Sequence, residues 1–91
     1  MKEYITSNIT GKIYYPSDCV RIVNNTQAAA YMMYGVKPVD VYGSSDYKTG
    51  KPMLITVFDR AESFEAYKKW CRYELIDELV AQNEEENTEV K

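Results

Sequence analysis

Three acidic side chains near the C-terminus, Glu74, Asp77 and Glu78, are the first residues to consider for acid–base chemistry. Two neighbouring carboxylates can act as acid and base when burial or a nearby charge raises the pKa of one of them. These three fall near the end of a predicted helix, which is expected to be exposed and to lack anything that would raise a pKa, and the helix dipole there disfavours negative charge. The sequence therefore predicts a solvated acidic face at this position, not a catalytic pair.

The segment from Gly43 to Lys51 contains fragments of two known catalytic or binding motifs. Gly50-Lys51 suggests a phosphate-binding loop, but the spacing differs, and Pro52 stands where that loop needs a Ser or Thr to bind magnesium. Ser45-Asp46-Tyr47-Lys48 and Lys48-Thr49-Gly50 match motifs of penicillin-recognising enzymes, but here both use the same lysine in one loop. Histidine, the commonest general base and metal ligand, is absent. We predict a protein that is not an enzyme, with no catalytic residues, no metal site and no cofactor.

The nine tyrosines offer a different chemistry. Aromatic rings can stack on nucleic-acid bases while basic side chains contact phosphates. This alternative gives a ligand site formed by Tyr42, Tyr47, Lys48, Lys51 and Arg21. The competing interpretation is that the rings are buried in a small sheet and only the hydroxyl groups meet water. The acidic C-terminal segment also repels phosphate, which opposes non-specific nucleic-acid binding.

A second helix face favours contact with another protein. Ala66, Trp70 and Tyr73 follow one another at helical spacing and form a ridge turned away from the predicted core stripe. Large aromatic residues on an exposed helix face are typical of protein interfaces. The predicted partner-binding set consists of Trp70, Tyr73, Ala66, Glu74, Asp77 and Glu78, in either a homodimer or a complex with a different protein.

The charge is divided unevenly along the 91 residues. Residues 1–73 contain ten Lys/Arg and seven Asp/Glu, a balance of +3, whereas residues 74–91 contain one Lys and seven Asp/Glu, a balance of −6. No apolar run approaches the roughly 18 residues of a membrane span, and the N-terminus has no signal-peptide pattern. These features predict a cytoplasmic protein whose two cysteines, Cys19 and Cys71, are free thiols.

The element that organises the predicted fold is the apolar run 53–58, a strand covered on both faces. A predicted hairpin (4–9 and 12–15), a strand (20–23), a short helix (27–34, ended by Gly35) and a strand (39–42) precede it. The fold class is therefore α+β, with an N-terminal β-hairpin followed by β-α-β-β-α, and with helices packed on an antiparallel sheet.

A capping box, Asp59-x-x-Glu62, begins a long helix that runs without Gly or Pro to about Ala81. Its predicted core stripe consists of Phe64, Tyr67, Cys71, Leu75 and Leu79. The predicted single domain is 1–81, and the composition of 82–91 is typical of an acidic disordered tail.

Four groups of segments between residues 20 and 75 form a recognisable pattern: Gln27–Met32 with Tyr34-Gly35, Lys48–Pro52, Val57-Phe58 and Ala66–Trp70. In these segments the chain resembles small domain-of-unknown-function proteins encoded by phages and mobile elements of Gram-positive bacteria. The resemblance implies a phage or prophage accessory role in the host cytosol and supplies no functional residues.

Three hypotheses for the function follow. The first is a non-enzymatic protein that binds and inhibits a host protein, for example a bacterial defence component such as a CRISPR effector, with the acidic segment imitating nucleic acid. The second is a nucleotide- or nucleic-acid-binding module that uses the tyrosine and lysine set. The third is an inert structural domain that works as a dimer.

Overall fold

The computed structural model describes residues 2–90, with side chains described for residues 2–82. A β-hairpin is followed by a strand, a helix, two further strands and two helices. The strands are β1 Ile5–Thr6, β2 Ile13–Tyr14, β3 Cys19–Ile22, β4 Asp40–Ser45 and β5 Pro52–Asp59, and a short 3-10 turn, Pro16–Asp18, precedes β3. The helices are α1 Asn25–Met33, α2 Arg60–Cys71 and α3 Leu75–Val90. The predicted α+β class is confirmed.

Strand β5 is the centre of the larger sheet, whose order is β3-β5-β4 with both neighbours antiparallel. Its side chains alternate between two buried faces, because successive residues of a strand point in opposite directions. Phe58 belongs to a core formed with the helices, whereas Ile55 and Val57 belong to a second core on the other face. The prediction of a strand covered on both faces is confirmed, with a pairing of β5 that extends one residue beyond the predicted run at each end.

The molecule consequently has three layers. Helices α1, α2 and α3 cover one face of the sheet, and their core contains Tyr31, Ala66, Leu75 and Leu79 around Phe58. The β1–β2 hairpin covers the other face, where Tyr14 packs with Ile55 and Val57. The two aromatic rings of Tyr31 and Phe58 meet in a tilted arrangement with their centres 5.1 Å apart.

Both ends of helix α1 are defined by capping residues that can be recognised in the sequence. Asn24 Oδ1 accepts hydrogen bonds from the backbone amides of Thr26 and Gln27, so the helix starts earlier than the predicted Gln27. At the other end Gly35 adopts φ 105°, the left-handed conformation that closes a helix C-terminus. The predicted stop at Gly35 is confirmed.

The long C-terminal helix is the principal error of the sequence analysis. The predicted cap at Asp59 is present, since its Oδ1 accepts from the amide of Glu62 at 3.0 Å, but α2 ends at Cys71 and α3 begins at Leu75. The break changes the phase between the two halves, so one helical stripe cannot run through both. Leu75 and Leu79 are buried as predicted, but the buried face of α2 carries Ser63 and Ala66.

The remaining members of the predicted stripe face outward. Phe64 and Tyr67 are about half exposed, at 51% and 50%, and Cys71 is exposed. Both cysteines are free thiols, as predicted, with Cys19 buried.

The predicted tail, residues 82–91, falls almost entirely outside the described side chains, and the division of the chain at residue 82 stays a prediction. The backbone of α3 is assigned to Val90. In the part of the chain that the structure describes, no helix combines the length and the apolar character needed to cross a membrane.

Candidate interaction surface

The corner between α2 and α3 is closed by two backbone hydrogen bonds. The amide of Tyr73 donates to the carbonyl of Trp70 at 3.0 Å, and the amide of Glu74 donates to the carbonyl of Lys69 at 2.9 Å. The same pair of bonds ends α1, where Gly35 donates to Met32 and Val36 donates to Tyr31, both at 3.0 Å. This bonding pattern, the Schellman motif, places the residue at its turning point in the left-handed conformation.

The two corners differ in the residue that makes the turn. At the end of α1 it is a glycine, whereas at the end of α2 it is Tyr73, with φ 61°. Among the described residues, Tyr73 is the one non-glycine residue with positive φ. Because Cβ approaches the following carbonyl in this conformation, a residue other than glycine raises the free energy of the fold by about 1 kcal/mol or more.

The Tyr73 side chain gains nothing from burial in return. It is 87% exposed, so its ring leaves almost all of its apolar surface in water. Burial of such a ring would stabilise the fold by about 1.5–3 kcal/mol, and that contribution is absent here. Strained backbone conformations cluster at functional sites, so the strained backbone and exposed ring of Tyr73 make this corner a candidate for binding.

The other residues of the predicted partner-binding set differ in how far they are exposed. Ala66 is fully buried in the helix core, so it cannot contact a partner, and its inclusion in the exposed ridge was wrong. The reason is the phase of α2, whose buried face passes through Ala66. Trp70 is half-buried and packs against the same core, leaving part of its ring at the surface beside the corner.

The acidic residues also lie differently from the expectation. Asp77 and Glu78 occupy the first turn of α3, where the helix dipole favours negative charge, so the predicted unfavourable placement was wrong. Glu78 forms an ion pair with Lys69 at 2.8 Å that joins α3 to α2, and this hydrogen bond raises the pKa of Lys69. Glu74 and Asp77 are exposed.

The alternative ligand set is not brought together. Arg21 and Tyr42 line one pocket of about 360 Å³, with Tyr14 and Cys19, between the β1–β2 hairpin and the sheet. The other three residues lie at the tip of the β4–β5 hairpin, beyond the last strand pair, Ser45 with Pro52. At this tip Tyr47 is 91% exposed, and the Lys48 ammonium lies 5.9 Å from the centre of its ring. One ligand-binding site containing all five residues is therefore not present.

Sequence reasoning missed a buried carboxylate. Asp40, on a strand predicted to have one wet face, is only 1% exposed and accepts hydrogen bonds from Tyr14 and from the backbone of Asn8 and Val41. The alternation of β4 indicates two faces, but it cannot show that a hairpin layer covers the polar one. The one sequence feature that could have suggested a buried partner for Asp40 is Tyr14 on a strand of that hairpin, and it is a weak signal.

Comparison with protein-family models, with curated proteins and with solved structures finds no match to this chain. The assignment of function consequently depends on the geometry of the chain itself.

Proposed function

We propose that this chain is a non-enzymatic binding protein that attaches to another protein through the corner between α2 and α3. This corner comprises Tyr73, the exposed part of Trp70, and the carboxylates of Glu74 and Asp77. The observation that carries the proposal is the state of Tyr73: its backbone is in the left-handed conformation, and its side chain is 87% exposed. Within the chain, glycine would lower the strain of this backbone, and the exposed ring gains no free energy from burial. We therefore infer that the contact that favours tyrosine lies outside the chain.

The charge of the region favours a partner with a basic face. Residues 74–91 contain seven acidic residues and one lysine, and they comprise α3 together with one residue on either side of it. A helix of 16 residues extends for about 24 Å, enough to span much of an interface. Electrostatic complementarity of this kind accelerates association and selects against acidic partners.

Proteins that bind nucleic acid are the partner class that such a surface fits, because their own sites are basic. The resemblance to phage and mobile-element proteins suggests a particular member of this class. Under this proposal the chain inhibits a host protein, for example a defence component such as a CRISPR effector, by covering a site made for nucleic acid. No catalytic step is part of the proposal.

The experiment compares four forms of the protein: wild type, Tyr73→Ala, Tyr73→Gly and Tyr47→Ala. Tyr47 provides a matched control, because it is a tyrosine of nearly equal exposure that lies elsewhere, at the tip of the β4–β5 hairpin. Each form is immobilised, used to capture proteins from a Gram-positive host lysate, and then titrated with the purified captured protein. Loss of a central aromatic anchor typically costs about 2 kcal/mol, which is a weakening of about thirtyfold.

Both Tyr73 variants should weaken binding by this factor, while Tyr47→Ala should bind as the wild type does. Binding should also weaken as salt concentration rises, because exposed charges are screened. If Tyr73→Gly binds as tightly as the wild type, the ring is not the anchor and the proposal fails. Light scattering on the wild type and on the two Tyr73 variants decides whether the corner instead binds a second copy of the chain.

A further inference from the structure

A separate pocket opens where the helix layer meets the edge of the sheet. Its volume is about 340 Å³, and it lies between the edge strand β3, helix α1 and the first half of α2. The lining residues are Val20, Ile22, Gln27, Tyr31, Arg60, Ser63, Phe64 and Tyr67. Small-molecule sites in proteins occupy about 300–1,000 Å³, so this pocket suits a compact ligand.

The walls of the pocket are apolar. Val20 and Ile22 point to the helix face of the sheet, since Val20 pairs with Phe58 of the helix core and Ile22 with Thr56. The rings of Phe64 and Tyr67 stand at the mouth, each about half exposed. These are the rings that sequence periodicity predicts to be core, and the structure instead presents them around an opening.

The polar groups at the floor of the pocket are hydrogen-bonded within the chain. The Tyr31 side chain is completely buried, and its hydroxyl oxygen accepts a hydrogen bond from Gln27 Nε2 at 2.9 Å. Ser63, also in the lining, donates to the carbonyl of Asp59 at 2.8 Å. Recognition of a polar group on a ligand therefore depends on the charged residue of the lining.

The charge in the lining is positive. Arg60 is the one charged residue of this lining in the described part of the chain. Its Nη2 donates to the carbonyl of Cys19 at 3.2 Å, which fixes the side chain against β3. A guanidinium has five N–H donors, so the group retains donors for a carboxylate after this bond is made.

We infer that this pocket binds a small molecule with a flat apolar body and a carboxylate. The body would lie between Val20, Ile22 and the two aromatic rings, and the carboxylate would accept from Arg60. This site is separate from the corner between α2 and α3 and does not depend on the function proposed for it.

The test uses two probes that share one ring system, indole-3-acetate and its neutral counterpart indole-3-acetamide. Binding is followed through the backbone amide resonances of isotopically labelled protein. The acetate should cause saturable shifts at Val20, Ile22 and Phe64, and it should bind about tenfold more tightly than the amide. Arg60→Gln should remove that preference.

Arg21→Gln is the matched control, because Arg21 lies on the same strand but lines the pocket on the other face of the sheet. This variant should retain the preference for the acetate. Equal affinity of wild type for the two probes, or shifts that map away from this lining, would overturn the inference. It would also be overturned by a wild-type dimer that Tyr67→Ser converts to monomer, since a second copy would then cover the mouth.

Discussion

The hydroxyl of Tyr14 donates a 2.6 Å hydrogen bond to Oδ2 of Asp40, in the layer between the N-terminal hairpin and the three-stranded sheet. Asp40 Oδ1 accepts from the backbone amides of Asn8 and Val41, each at 2.8 Å. Burial raises the pKa of Asp40, but these hydrogen bonds outweigh burial and hold the pKa below its usual value. Burial, and then the bond to Asp40, raises the pKa of Tyr14. One carboxylate thus ties three segments of the chain together.

Acid should unfold the protein partly through Asp40. Because its pKa is lower in the folded chain, the unfolded chain binds more protons on acidification, and stability falls. The contribution is complete above the unfolded pKa of about 3.9 and is lost as pH drops towards the folded value. Urea unfolding of the wild type between pH 6 and pH 2.5 should show this loss.

Asp40→Asn should be less stable at pH 6 by about 1–3 kcal/mol and should show a flatter pH dependence. A parallel pH profile for the variant would contradict the assignment, and Tyr14→Phe should give an intermediate result.

Phe58→Ala should be among the most destabilising single substitutions. The ring is fully buried at the centre of the helix core and contacts Tyr31, so its removal leaves a cavity that costs about 3–5 kcal/mol. Leu54→Ala is the control on the same strand, because Leu54 is 46% exposed and should cost far less. The measurement is the free energy of unfolding in urea. Equal losses for the two variants would place the core elsewhere.

Substitutions at Tyr73 should separate its backbone from its ring. Tyr73→Gly relieves the left-handed strain and should raise the free energy of unfolding by about 1 kcal/mol, whereas Tyr73→Ala should leave it nearly unchanged. The matching substitution at the end of α1, Gly35→Ala, should lower stability by a similar amount, since it introduces strain where none exists. If Tyr73→Gly destabilises by several kcal/mol, the ring has a structural role and the corner is not an interface anchor.

Removal of residues 83–91 should leave the fold intact. Among the residues of α3 whose side chains the structure describes, the buried ones are Leu75 and Leu79, and both precede the cut. The deletion removes four glutamates and one lysine, so it also tests whether charge in this segment is needed for partner binding. Thermal unfolding and the binding titration are the two measurements. A large drop in melting temperature would show that these residues stabilise the domain, and unchanged affinity would leave Glu74 and Asp77 as the acidic contacts.

Local signals in the sequence were sufficient for most of the fold. The apolar run around Ile55 and Phe58, the cap at Asp59 and the glycine at position 35 each specify structure through contacts within a few residues. The fold class and the order of elements up to the start of α2 follow from them.

The helix break was not predictable in the same way. Nothing in Arg72-Tyr73-Glu74 signals a stop, because the residue that makes the turn is a tyrosine where the pattern expects glycine. The turn explains part of the error in the candidate surfaces, because it gives α2 and α3 separate phases and places Asp77 at the start of a helix. The burial of Ala66 and the exposure of Phe64 and Tyr67 depend instead on which face α2 packs against the core. The burial of Leu75 and Leu79 in the core offsets the cost of this left-handed turn, and local helix propensity does not report such tertiary contacts.

The division of the core by β5 has a consequence for hydrogen exchange. The hairpin layer is held by strands of two residues each and by the hydrogen bonds of Asp40, whereas the other layer contains three helices. The hairpin should therefore open as a unit at lower free energy, exposing Ile55 and Val57 while the helices stay folded. The amides of Ser7 and Gly11 should exchange faster than that of Tyr34, although all three are hydrogen-bonded. Acid should widen the difference, because protonation of Asp40 loosens only the hairpin.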